Sequence, residues 1–441
     1  MVRVAAYDDG LFTPMEKMNA LSETEFSILG HPLFPNYNVR IKKSTFCYET
    51  VKAYTGYIDI EARHIFFYFF ESRNDPDTDD IFFWTTGGAK FNSIHLTGPC
   101  RISDENGTSF HPESWNTNAN IFFVDGPIGV GFSYADYGET VDTTEEAAKD
   151  IAAFIFVLFE HFTKFKGRSF HMAGESYGGR YAPVFAAEVY DQNTKLAAAG
   201  NGMTDFYHQM SSSFNMMCTT ASVLPTLDIA SCVQLKQMIP RCEKRLKEAC
   251  VDIFDAMDCA EVANFCETHM WGPFWQTGLN PYDMSKPCDA DGLKDNLCYP
   301  MTAHIRAHLD RPGVRNALGV DPAVAANFSS CEPTINSAFR AQLDRGVRVL
   351  IYVGTYDWTC NWVGNERWTL ALEWSGQAEF ATQPLHPWAV GGDFSKGRAG
   401  LARSAKRLMF ATIDGAGHLV PYDKPREALD IVQWWLSGEG F

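Results

Sequence analysis

The sequence predicts an α/β fold, a sheet with parallel strands covered by helices, on three observations. Short apolar runs bounded by Gly, Asp or Pro recur at 81–84, 120–124, 169–173, 347–353 and 408–413, the pattern of strands buried on both faces. Between the second and third runs, Thr143 and Glu146 have capping-box spacing. Ala147, Ile151, Phe154, Ile155, Leu158, Phe159 and Phe162 then follow at three- and four-residue steps, which is an amphipathic helix. Strand, helix, strand in that order is a crossover unit. The third observation is bulk: 441 residues, 46% hydrophobic and 14% aromatic, enough for a large core and incompatible with a disordered chain.

Taken in order, residues 1–44 are mixed and carry no clear element, and the main domain is expected over 45–441. Segments 54–60 and 64–70 alternate around Glu61-Ala62-Arg63 and predict a β-hairpin. The strands and helix above come next, and a helix-compatible stretch occupies 180–190. From about 206 to 310 sheet-like runs vanish and Cys, Met and Trp cluster, which predicts a mainly helical insertion between two parts of one α/β core. His304 and His308 have a spacing that suits a metal on a helix, but no further ligand accompanies them, so no metal is expected. The run 243–248 reads as a charged helix surface.

Lys plus Arg number 37 against 54 Asp plus Glu, a net charge of −17, which argues against nucleic acid as a partner. No stretch approaches the ~18 apolar residues of a membrane span, and residues 1–10 do not read as a secretory signal. Eight of the twelve cysteines lie between 218 and 298 with no CxxC spacing. Disulfides of a secretory-pathway protein account for that better than structural zinc. The sequons at Asn106 and Asn327 agree with a glycosylated vacuolar or secreted protein.

The chemistry is concentrated in three places. Gly174-Glu175-Ser176-Tyr177-Gly178 joins a predicted buried strand to a predicted helix, the context in which GxSxG exposes a serine nucleophile. Such a serine needs a base and an orienting acid. Asp357 follows the 347–353 strand and His418 follows the 408–413 strand. The order Ser, Asp, His is that of the α/β-hydrolase fold.

The chain resembles the serine carboxypeptidases. The likeness is carried by Tyr54-Thr55-Gly56-Tyr57, Glu71-Ser72-Arg73-Asn74-Asp75-Pro76, Ser114-Trp115-Asn116 and Gly129-Val130-Gly131-Phe132-Ser133-Tyr134. It continues in Gly174-Glu175-Ser176-Tyr177-Gly178-Gly179, Gly200-Asn201-Gly202, Cys360-Asn361-Trp362 and Gly417-His418. The resemblance implies Ser176 as nucleophile, His418 as base and then acid, Asp357 as its orienter, and the N–H groups of Gly88 and Tyr177 as the oxyanion hole. It implies substrate contacts at Trp84, Thr86, Gly87, Glu175 and Cys360, and no cofactor. It also implies the pairs Cys218–Cys232, Cys242–Cys266, Cys250–Cys259 and Cys288–Cys298.

One segment departs from the pattern. Where the family reads WLNGGPGCSS, this chain reads Trp84-Thr85-Thr86-Gly87-Gly88-Ala89-Lys90-Phe91-Asn92-Ser93 and reaches Gly98-Pro99 early. Thr86 replaces an Asn, and Leu96 stands near the place of a family Glu that would share a proton with Glu175. Lys90 is a candidate substitute cation. The missing family cysteine leaves Cys47, Cys100 and Cys331 over. Mis-splicing or divergence explains the change. The sequence therefore predicts a serine carboxypeptidase acting on peptide C-termini through an acyl-enzyme, at acid pH if the carboxylate site functions. The alternatives are an esterase or acyltransferase on the same scaffold, or an impaired member.

Overall fold

In a computed structural model of the chain, the alternating segments around Glu61 form the hairpin that the sequence predicts. Strands Ala53–Ile60 and Arg63–Phe70 pair antiparallel with Ile60 opposite Arg63, and Glu61 turns the chain at a φ of +52°. The described residues are 3–4, 12–47, 51–87, 93–104, 107–141, 143–192, 197–253, 255–324, 343 and 347–438. They fall into two units, Met1–Gly200 with Pro300–Val349, and Asn201–Tyr299 with Leu350–Phe441.

In the first unit the hairpin is the middle of a mixed sheet. On one side it pairs antiparallel with Phe34–Ser44, which pairs in turn with Ser27–His31. The sequence leaves 27–44 unplaced because Phe34–Ser44 carries Arg40, Lys42 and two asparagines, so no apolar alternation marks it. Partners explain its burial: Lys42 donates to the Asn316 and Ala317 carbonyls at 3.3 and 3.1 Å, and Arg40 grips Asp59 through two bonds of 2.6 and 2.8 Å. On the other side, Arg63–Phe70 meets Ala119–Val124 antiparallel. Ala119–Val124, Asp80–Thr86 and Phe170–Ser176 then run parallel, side by side, as the apolar runs predict.

Helix Thr144–His161 covers this sheet. The Thr143 hydroxyl accepts the Glu146 N–H at 3.2 Å, satisfying one of the donors a helix start leaves open. Ala147, Ile151, Phe154, Ile155 and Leu158 are buried, with the Phe154 ring 4.9 Å from Phe67 and 5.9 Å from Phe122. Burying a side chain of this size contributes about 1.5–3 kcal/mol, so the periodic face is what docks the helix. His304 and His308 lie on helix Met301–Leu309. His304 is exposed and His308 buried beside Phe46, so the pair offers no shared open face.

In the second unit, Leu408–Ile413 pairs antiparallel with Gly400–Ala405, and that strand with His386–Trp388. Strand Val349–Gly354 is buried throughout. Helices Phe206–Cys218, Ile229–Leu246 and Ala256–Cys266 enclose a small core of Met210, Met216, Met217, Leu235, Val262, Met270 and Phe274. A short antiparallel pair, Leu279–Asn280 with Asp283–Pro287, follows them. Disulfides join Cys218 to Cys232, Cys242 to Cys266, Cys250 to Cys259 and Cys288 to Cys298, the pairing that the resemblance implies. In the first unit Cys47 pairs with Cys100, which places two of the three left-over cysteines. Cys331 lies outside the described residues.

Candidate active site

Ser176 ends strand Phe170–Ser176 with a φ of +60°, and helix Gly178–Gln192 starts two residues later. That left-handed backbone is unusual for serine and is the sharp strand-to-helix turn that GxSxG predicts. The turn is crowded. A Cβ on Gly174 would overlap the Gly178 carbonyl, and one on Gly87 would overlap the backbone and Cβ of Tyr177. The parallel register sets Glu175 opposite Thr86, and Gly87 N–H donates to the Glu175 carbonyl at 3.0 Å. The chain end 84–87 thus runs directly beside 174–177. Arg180 and Tyr181 donate their N–H groups back to the Tyr177 carbonyl at 2.9 and 3.3 Å, closing the first helical turn.

Around this elbow Glu175 is buried at 1% exposure. Trp84 is fully buried and meets Trp115 edge-on at 4.8 Å, so it packs the strand end from within. Leu96 is buried in helix Ser93–Thr97. Its neighbour His95 is buried too and accepts the Ile102 N–H at 3.0 Å. Burial, with Arg101 nearby, pushes the His95 pKa down to about 4, so above that pH it stays a neutral imidazole. Gly88, Lys90, Asn106 and Asn327 lie outside the described residues, as does the side chain of Thr86.

In the second unit, Asp357 and His418 meet. His418 Nδ1 lies 2.7 Å from Asp357 Oδ2, both side chains being buried. Asp357 Oδ1 accepts the Cys360 N–H at 3.0 Å, so both carboxylate oxygens are engaged. The Cys360 sulfur lies within 4.8 Å of a carboxylate oxygen of Asp357 and an imidazole nitrogen of His418, and Cys360 stands outside the disulfides. Burial penalises the imidazolium. The adjoining Asp357 carboxylate and Cys360 outweigh it and hold the His418 pKa well above its ordinary value. The Cys360-Asn361-Trp362 motif is a cap with anchors. Asn361 Oδ1 accepts the Gly364 N–H at 2.9 Å to start helix Trp362–Ala371, and the Ser212 hydroxyl at 2.8 Å. Trp358, next to the acid, stacks on Phe274 with centroids 4.0 Å apart.

Sequence reasoning missed the groups that hold these loops. Segment 281–284 contacts both: the Pro281 carbonyl accepts from the Trp358 and Thr359 N–H groups, Met284 N–H donates to Tyr356, and the Tyr282 carbonyl accepts the His418 N–H at 2.7 Å. Asn-Pro-Tyr-Asp signals a turn, but nothing local in it tells what the turn touches.

A nucleophile elbow, with an Asp–His pair on loops that follow strands, defines the α/β-hydrolase class. Within that class the chain matches the family model described as serine carboxypeptidase over residues 44–438, and it belongs to the serine carboxypeptidase family, peptide hydrolases of the serine type. It is 36% identical to carboxypeptidase Y of Candida albicans over 432 residues, 92% of this chain and 77% of the relative. It is also 36% identical to carboxypeptidase Y homolog A of Pyricularia oryzae, with the same coverage. The fold resembles the crystal structure of a prohormone-processing carboxypeptidase from Saccharomyces cerevisiae. That likeness has a TM-score of 0.70 and 20% identity, and covers 88% of this chain and 92% of the other.

Proposed function

We propose that this carboxypeptidase works through Ser176, His418 and Asp357, releasing residues from peptide C-termini by way of an acyl-enzyme. The observation that carries the assignment is the 2.7 Å contact from His418 Nδ1 to Asp357, which turns Nε2 into the base. Ser176 Oγ attacks the scissile carbonyl carbon as His418 Nε2 takes its proton, and the imidazolium returns that proton to the leaving amine. Water then repeats the sequence on the acyl ester, and Ser176 recovers its proton. The N–H groups of Tyr177 and Gly88 are the proposed donors to the oxyanion. The close approach of Gly87 to the Tyr177 amide supports this, because it brings the 84–87 strand end to that amide. Trp84 supports that strand end from the core, while Thr86, Gly87, Glu175 and Cys360 are the proposed substrate contacts. Five disulfides among the described residues support an oxidising compartment, vacuolar or secreted. No described helix is long and apolar enough to cross a membrane. We read 206–310 as an insertion in the 45–441 domain.

A second reading, esterase or amidase preference on the same machinery, is favoured by the buried Leu96 where the family carries a carboxyl. Losing hydrogen bonds to a charged group costs about 1.5–3 kcal/mol each, so two losses weaken free-acid binding by roughly two to four powers of ten. The test is kcat/KM for a matched peptide amide and free acid from about pH 4 to 7. A relative gain for the amide that narrows at low pH supports the altered site. A strong free-acid preference throughout shows that another group has taken over carboxylate recognition.

A further inference from the structure

His418 follows a glycine whose backbone is anchored from outside its own turn. Gly417 N–H donates to Oδ2 of Asp423 at 2.8 Å, and His418 N–H donates to the Tyr282 carbonyl at 2.7 Å. The space beside Gly417 is full: a Cβ there would overlap the Tyr282 carbonyl and stand 2.9 Å from Cβ of Asp283. Packing therefore requires glycine, and glycine is the residue whose backbone is softest. The stiffness must come from the two acceptors. One is a carbonyl of a braced segment; the other is a side chain, which makes it separable by mutation.

That side chain sits in a charged cluster of two buried acids and a largely exposed lysine. The side chains of Asp423 and Asp283 are 9% and 3% exposed, and Lys286 Nζ lies 3.9 Å from Asp423 Oδ1 and 2.6 Å from Asp283 Oδ2. Asp283 Oδ1 also accepts from the N–H and hydroxyl of Ser285. Burial, helped by Asp283, raises the Asp423 pKa, while the Gly417 N–H, Lys286 and Lys424 oppose it. Burial, helped by Asp423, raises the Tyr299 pKa, and its ring meets Tyr422 edge-on at 6.1 Å. On the other side of the turn, His418 faces Asp357, Cys360 and the Tyr282 ring, 5.1 Å away.

We propose that Asp423, steadied by Lys286, is a positioning residue that acts through the Gly417 N–H to hold the His418 imidazole with Nδ1 on Asp357 and Nε2 free to take a proton. The inference rests on the assignment of His418 as the base. A charge-assisted bond is roughly twice as strong as a neutral one, so the carboxylate fixes the turn better than a neutral acceptor. As pH falls through the Asp423 pKa, that bond weakens and Lys286 is left with Asp283 alone as its counter-charge, so Asp423 adds to the acid limb of kcat.

The experiment is steady-state ester hydrolysis across about pH 5–8 by the wild type, Asp423→Ala, Asp423→Asn, Lys286→Met and His418→Ala, with melting curves for each. Asp423→Ala should lower kcat by about 10²-fold, the scale of a displaced catalytic group, with KM little changed. Asp423→Asn keeps an acceptor, so it should recover most of that loss and remove the Asp423 contribution to the acid limb. Lys286→Met should move the acid limb to higher pH, since the cation no longer favours the carboxylate. Wild-type kcat and pH profile in Asp423→Ala overturn the proposal, as does a loss that Asp423→Asn fails to recover. If Asp423→Ala does not fold, an unmoved acid limb in both Asp423→Asn and Lys286→Met overturns it instead. Activity retained by His418→Ala would sink the base assignment itself, whereas an inactive His418→Ala beside a fully active Asp423→Ala sinks only the positioning role.

Discussion

Ser176 and the Asp357–His418 pair are held by opposite means. The serine ends a strand whose neighbours are fixed by a parallel ladder, and Gly174 and Gly87 are packed so closely that an added methyl would strike backbone. The acid and base sit on loops, held by a distant segment, 281–284, and by side chains a few residues further on, Asp423 and the Asn361 cap. Small steric changes should therefore damage the elbow through the fold. The loops share that steric limit at Gly417 but should in addition be damaged by polar changes that leave the fold standing.

The largest effects should separate the two regions by chemistry. Ser176→Ala should abolish labelling by a fluorophosphonate probe and lower hydrolysis by about 10⁴-fold or more while leaving the melting temperature unchanged. Asp357→Asn should lower kcat by about 10⁴-fold through loss of imidazole orientation. It should also move the acid limb. The base must be neutral, so with a raised His418 pKa ester kcat/KM falls as pH drops through a value above 6.5, and removing the carboxylate shifts that fall to lower pH. The same pair stabilises the fold fully below the unfolded imidazole pKa and loses that contribution as pH rises through the raised folded value. A melting temperature that rises over that window would contradict the contact.

Stability should then distinguish the elbow. Gly174→Ala forces a Cβ onto the Gly178 carbonyl and should cost about 1–3 kcal/mol, the usual range for overpacking, read as a lower urea midpoint. Gly107→Ala, with nothing within 4 Å of its Cβ, is the control. Disulfides give a graded comparison between units. Cys47–Cys100 closes a separation of 53 residues and Cys250–Cys259 one of 9, so loop-closure entropy assigns them about 4 and about 2.6 kcal/mol. Equal losses in the two double Cys→Ser variants would show that strain or residual structure, not loop length, sets their worth. The smallest effect should come from Thr143→Ala, which removes the Glu146 cap at the cost of about 1 kcal/mol.

The elements legible in the sequence were those whose signal is local. The 53–70 hairpin alternates around its turn, helix Thr144–His161 repeats its apolar face, and the elbow lies between a strand and a helix. Phe34–Ser44 was hidden because its polar residues are buried by partners from distant segments. Gly400–Ala405 was hidden because small residues and Arg403 carry no periodicity. The three left-over cysteines allowed three pairings, and only their placement chose Cys47 with Cys100. Asp423 and Tyr282 escaped for the same reason, since the base loop depends on contacts no local pattern announces.

The brace at 281–284 also decides how this chain is to be recombined. The helices between Phe206 and Cys266 have their own staples, which invites grafting from one relative to another as a cassette, although their core is completed by Met284 and Trp358. A crossover placed after the last of the clustered cysteines would carry Pro281, Tyr282 and Met284 along with the graft, and so import a foreign fit to both Tyr356–Thr359 and Gly417–His418. The workable junction lies before Asn280, and chimeras cut on either side of it should part into active and inactive sets while sharing every residue of the triad.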